Sequence, residues 1–264
     1  MRLLAAVMTI ATLLPAGARA SDFWDEVRTP GLRAWRNDLA RARVALRARR
    51  FDQARTAAEA AITRLPDRAE GHVVRALVAG EVGALERAKE YLLTALSHDP
   101  GCLDNPAEGA RAAEIFAKTG DYPHARQVLA RLLGRMQPGG IRRTLYGLYG
   151  DVLLSLGPDQ TADAIRAYRE ALRSGRHDPR ASLGLALALR RQTAEGTEWR
   201  DLARSVASRG RLEALLSSLA VPEEERAARR AVAAEAIEDE AAARTAWRSI
   251  ESGPWADHAA EQAQ

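Results

Sequence analysis

Four arginines, Arg36, Arg43, Arg47 and Arg50, follow one another at steps of 7, 4 and 3 residues. On a helix of 3.6 residues per turn these steps return their side chains to nearly one side, which makes a basic stripe. A guanidinium holds a carboxylate through two parallel hydrogen bonds, so the chemistry on offer is the capture of acidic groups. A solvated charged face is the plainer explanation of the same pattern. Residues that break bonds are placed less suggestively. His72, His98, His124, His177 and His258 stand singly, without the i, i+4 pairing of a zinc protease or a nearby cysteine cluster. No serine sits in a Gly-x-Ser-x-Gly elbow, and no glycine-rich strand-to-helix loop is present to cradle phosphate. The acidic clusters Glu223-Glu224-Glu225 and Glu238-Asp239-Glu240 fall where helices start or turn, where capping and solvation account for them. The expectation is a protein that is not an enzyme and needs neither metal nor cofactor.

The elements that position these residues begin after a leader. Arg2 precedes the apolar stretch Leu3 to Leu14, and an Ala18-Arg19-Ala20 ending follows. Twelve mostly apolar residues are too few for a bilayer that needs about 20, so residues 1–20 read as a secretory signal cut before Ser21. Ser21 stands where a lipoprotein needs cysteine for acylation. Loss of Arg2 and Arg19 lowers the net charge from +4 to +2, which leaves little reason to expect a nucleic-acid partner. Lys89 and Lys118 are the lysines among otherwise arginine bases, and the single cysteine, Cys102, has no partner for an internal disulfide. Localisation is expected to be periplasmic or secreted, with no transmembrane segment.

Alanine and leucine dominate and β-branched runs are scarce, a composition that favours helix throughout. Small and helix-ending residues recur about 34 apart: Ala42/Ala76, Ala54/Ala88, Ala61/Ala95 and Pro66/Pro100. Such a period marks a solenoid of paired helices. The first pair is expected over 29–50, with Thr29 capping and Pro30 at the first helical position, and over 52–65. The second runs over 69–82 and 86–98 with a turn at Gly83. A third unit follows at a spacing of 37, with Ala113, Phe116, Gly120, Ala125 and Leu129, three residues having entered near Gly101 to Asn105. Tyr149, Gly150, Ala164 and Tyr168 begin a fourth, and Leu183-Gly184 a fifth whose second helix lies near 198–208. Helices over 211–219, 224–237 and 240–250 complete a degenerate end.

Ala76, Gly83, Ala88, Leu92, Ala95 and Pro100 reproduce the loose consensus of the tetratricopeptide repeat, which the chain resembles over 35–195 and more loosely to its end. The resemblance implies an all-α, right-handed superhelical solenoid of five to six antiparallel hairpins with degenerate C-terminal units. Residues 21–34, with Phe23 and Trp24 beside Trp35, are expected to cap the first hairpin, and 196–264 to form the degenerate repeats and a C-terminal cap. The resemblance also implies a concave groove lined by the first helix of each hairpin. Transfer of the register puts Arg36, Arg43 and Arg47 there, Arg50 ending their stripe, then Val73, Leu77 and Glu81, then Ala110, Glu114 and Lys118. Chaperone-binding members use a Lys/Asn clamp, and the corresponding places here hold Leu39 and Arg43. The expected role is therefore a periplasmic adaptor that binds a protein segment, an acidic peptide with an apolar anchor, and helps to organise a cell-envelope complex. The alternatives are a cell-wall hydrolase, whose mark would be two acids converging in a pocket with shifted pKa values, or a structural homo-oligomer.

Overall fold

The computed structural model describes residues 27, 29–137, 139–173, 178–192, 196–207 and 210–262. Among them fourteen α-helices and one short 3-10 turn follow one another, with no strand. The leader, Phe23, Trp24 and His177 lie outside the described residues. The helices pair as antiparallel hairpins: α1 Leu32–Arg47 with α2 Phe51–Arg64, α3 Ala69–Glu81 with α4 Leu85–His98, and α5 Pro106–Lys118 with α6 Tyr122–Arg135. Next come α7 Gly140–Leu156 with α8 Thr161–Leu172, and α9 Pro179–Gln192 with α10 Glu198–Ala207. After α11 Leu212–Ser218, the sixth hairpin is α12 Glu223–Ala236 with α13 Glu240–Arg248, and α14 Ala256–Gln262 closes the array. The hairpins stack side by side as the 34-residue period requires, because each buries its apolar faces only against its neighbours. No described helix is long and apolar enough to cross a membrane.

The small residues sit where close approach is needed. Ala42, Ala54, Ala61, Ala76, Ala88, Ala95, Ala113 and Ala125 are all fully buried between helices. Gly150 and Gly184 flank the buried Tyr168 ring, and a Cβ on either would lie 2.6 Å and 2.3 Å from its carbons. The inter-helix turns are equally regular. Gly83 and Gly120 take positive φ of 81° and 74°, and the amide one residue on donates five residues back, to Ala79 at 2.9 Å and Phe116 at 2.8 Å. This is the glycine-terminated helix end in which a left-handed residue lets the orphan carbonyls find donors. Arg49 and Glu238, with φ of 56° and 65°, occupy the same place in the first and last hairpins.

That turn corrects the reading of the first helix. Arg49 reverses the chain, α1 ends at Arg47, and Arg50 becomes the residue that precedes α2, so Arg50 leaves the stripe. The start differs too: the Leu32 amide donates to the Thr29 carbonyl at 3.2 Å and Gly31 has φ 86°, ψ −1°. Thr29-Pro30-Gly31-Leu32 is thus a β-turn with Pro and Gly in the places that a type II turn favours, and the helix begins after it. The three inserted residues are absorbed between α4 and α5, where Asn105 caps α5 by accepting from the Ala107 and Glu108 amides at 3.0 Å and 3.2 Å. At the far end α14 was not legible as an element, yet it packs on α13 with Trp255 and Ala259 buried.

Candidate functional site

The first helices of the hairpins face one another on the inside of the stack. Arg43 on α1 reaches past α3 to α5: its Nε donates to Glu108 Oε1 at 2.7 Å and its Nη2 to Oε2 at 3.0 Å. Such a bridge from the first hairpin to the third forms only on the inner side of a bent array. The carboxylate fork expected of Arg43 is therefore occupied by the chain's own Glu108. Val73 and Leu77, placed by the register on the groove wall, are 0 % and 3 % exposed because α1 and α5 close over α3. The inner face is consequently narrow here rather than an open trough.

What stays open is a hollow of about 210 Å³ between α3 and α5, lined by Leu77, Gly80, Glu81, Leu85, Arg111, Glu114, Ile115 and Lys118. Leu77 and Ile115 are the buried apolar floor, and two ion pairs, Arg111 to Glu81 at 2.6 Å and Lys118 to Glu114 at 2.7 Å, stand around it. Four residues chosen from the sequence, Leu77, Glu81, Glu114 and Lys118, are brought together. Val73 is sealed beneath, and Ala110 is half-buried. Arg36 and Arg47 are exposed on α1, whereas Arg50 lines a different hollow, on the outer end of the first hairpin.

A second constellation escaped the sequence reading. Asp151 and Ser155 on α7, Tyr168 on α8, Arg180 on α9, and Glu225 and Arg229 on α12 form one polar cluster at the centre of the C-terminal half. Arg229 Nη2 donates to Asp151 Oδ1 at 2.7 Å and to Glu225 Oε1 at 2.6 Å. Arg180 Nε donates to Asp151 Oδ2 at 2.5 Å, the Tyr168 hydroxyl to Asp151 Oδ1 at 2.7 Å, and the Ser155 hydroxyl to Glu225 Oε2 at 2.7 Å. Asp151, Glu225 and Arg229 are fully buried, which corrects the expectation that Glu225 belongs to a solvated acidic cluster. Burial alone would push the Asp151 carboxyl up, but two guanidiniums and the Tyr168 hydroxyl outweigh it and hold the group below its usual range. Glu225 shares one guanidinium with Asp151, and burial wins: its carboxyl is pushed up. The signal for Asp151 was present, since Arg43, Leu77, Glu114 and Asp151 continue one column at spacings of 34, 37 and 37.

Two acids with oppositely shifted pKa values do meet here, yet both are wholly enclosed, and no substrate reaches them while α12 is in place. Other polar groups are likewise used internally. Glu235 accepts from Trp247 Nε1 at 2.6 Å and from Arg190 Nε at 2.9 Å, His72 Nε2 lies 2.9 Å from the Pro66 carbonyl, and the His124 ring pairs with Asp121 at 2.8 Å. No group of three or more metal-ligating side chains forms among the described residues.

Comparison with known proteins agrees with this architecture. The tetratricopeptide repeat family model matches residues 39–101 and 146–197. No curated protein sequence matches the chain. Among solved structures, that reported in a functional characterisation of Pseudomonas aeruginosa pilF is 19 % identical, with a TM-score of 0.52, and covers 83 % of this chain and 91 % of that one. PilW, described as a widely conserved type IV pilus biogenesis factor, is 16 % identical, with a TM-score of 0.52, and covers 83 % and 92 %. At these identities the likeness is one of fold.

Proposed function

Because the chain belongs to the tetratricopeptide-repeat family, we propose that it is a periplasmic adaptor, free of catalytic chemistry, that captures a segment of a protein partner on its inner face. The observation that carries this reading is the α3–α5 hollow, an apolar floor ringed by charges on the concave side of a stacked-hairpin array. Its volume suits one aliphatic side chain of a bound segment, with backbone and polar groups of that segment meeting Glu81, Arg111, Glu114 and Lys118. Arg36 and Arg47, exposed on the neighbouring α1, favour acidic residues flanking that anchor. Residues 1–20, read as a secretory signal, support an encounter in the envelope. A pilus, motility, polysaccharide-export or outer-membrane assembly machine is the class of partner we propose, and PilW, a pilus biogenesis factor of like fold, is in keeping with it.

The test is affinity recovery from the native envelope, with retained proteins identified by mass, using the natural chain, a Lys118→Glu/Arg47→Glu variant and an Arg166→Glu control. All three sites are exposed, so helicity by circular dichroism stays unchanged. The double variant is expected to retain its partner at least about tenfold less well, the order expected of lost charge-assisted contacts, while the control retains it fully. Equal retention by all three removes the inner face as the docking site.

A further inference from the structure

The first hairpin carries a hollow of about 740 Å³ on its outer end, lined by Arg41, Val44 and Ala45 on α1, by Arg50 in the turn, and by Asp52 and Thr56 on α2 among others. The repeat shows what this surface is for. Val44 corresponds to Val78 one period on, and Arg41 to Arg75. Val78 is 2 % exposed because the preceding hairpin packs upon α3, through Glu59 paired to Arg75 at 3.0 Å and Ile62 against Gly71. Val44, in the same place on α1, is 57 % exposed. An apolar seat that is filled at each later junction thus lies open at the first.

We propose that the chain's own segment Ser21–Glu26, which lies outside the described residues, occupies this seat and completes the N-terminal end of the solenoid. Three observations select it over other occupants. The turn at Thr29 to Leu32 reverses the chain immediately before α1, the sense that a segment returning along that helix requires. The reach is sufficient: Ala40 to Val44 lie about 12–18 Å along α1 from Leu32, and the nine residues from Phe23 span up to about 30 Å. The chemistry is complementary as well, since Phe23 and Trp24 offer the large apolar groups that the alanine-lined seat lacks, and Asp22, Asp25 and Glu26 would face a margin where Arg50 and the Asp38-paired Arg41 outnumber Asp52.

Cross-linking in the full-length protein tests this. Cysteines are placed at Asp25, beside the aromatic pair but not replacing it, and at Thr56 on the margin of the seat, in a Cys102→Ser background. Mild oxidation is expected to give an intramolecular disulfide at least about tenfold faster than in an Asp25→Cys/Val82→Cys control, whose second site is equally exposed but distant, because a bridge requires Cα atoms within about 7 Å. A second readout is the loss of melting temperature on removing residues 21–26, which is expected in the natural chain and abolished in a Val44→Asp background. Covalent dimers with doubled mass in solution would assign the seat to a second copy and overturn the proposal. So would equal oxidation rates in the two pairs, or a truncation whose effect is zero or is undiminished by Val44→Asp.

Discussion

Single residues here are constrained chiefly by the space and charge their neighbours leave. Gly184→Ala places a methyl against the Tyr168 ring, and with α8 and α9 both fixed it is expected to cost about 1–3 kcal/mol, read as a shift in the urea midpoint without a change in slope. Arg229 holds two buried carboxylates at once. Arg229→Met leaves Asp151 to Arg180 and Tyr168 but Glu225 to the Ser155 hydroxyl without a cation, and is expected to remove about 3–5 kcal/mol, lowering the melting temperature by roughly 10 °C. Glu225 gives this cluster a pH dependence of definite sign. Its carboxyl is pushed above the ordinary 4.5 by burial, so the folded state binds that proton more tightly than the unfolded chain does. Its contribution is therefore most favourable below that value and is lost as pH rises from 4.5 through the folded pKa. Glu225→Gln is expected to be as stable as the natural chain or more so at pH 7, the advantage shrinking toward pH 4.5, which urea titration at the two pH values measures. Asp151 acts oppositely and stabilises above its ordinary 3.8, so acid below that range weakens the fold.

Helices and their joints were the part most legible in the sequence, because proline, glycine and alanine each act locally. Pro66 and Pro100 follow α2 and α4 closely, Gly83 and Gly120 take the left-handed turn, and the alanines lie at the contacts. The local signals fail where one residue type stands in for another. Arg49 holds the positive φ that glycine holds in the next two hairpins, so no glycine punctuates the end of α1, and Arg50 reads as its continuation although it precedes α2. Arg49→Gly is accordingly expected to stabilise the protein by about 0.5–1 kcal/mol, checked by thermal unfolding. The charges were less legible than the turns, since an arginine on a helix reads alike whether it faces water or a partner 65 residues away, as Arg43 faces Glu108. That bridge is half-exposed, and a double-mutant cycle with Arg43→Met and Glu108→Gln is expected to give a coupling of about 0.5–1 kcal/mol that declines with added salt.

At the scale of the molecule, periodicity foretold stacked hairpins but not how tightly they would curl. Close alanine contacts bring neighbouring first helices together, and Arg43 spans from the first hairpin to Glu108 of the third, which narrows the groove that register alone would leave open. The consequence lies in how such a protein can change. In a simple repeat array every link meets its immediate neighbours alone, so units can be added or removed with little penalty. Here Arg43 reaches Glu108 and Arg229 reaches Asp151 across an intervening unit, the second pair inside the core. Deleting or duplicating the fifth hairpin would part Arg229 from Asp151 and leave ionised groups unmatched inside the core, so the C-terminal half is expected to tolerate a change in its number of units poorly.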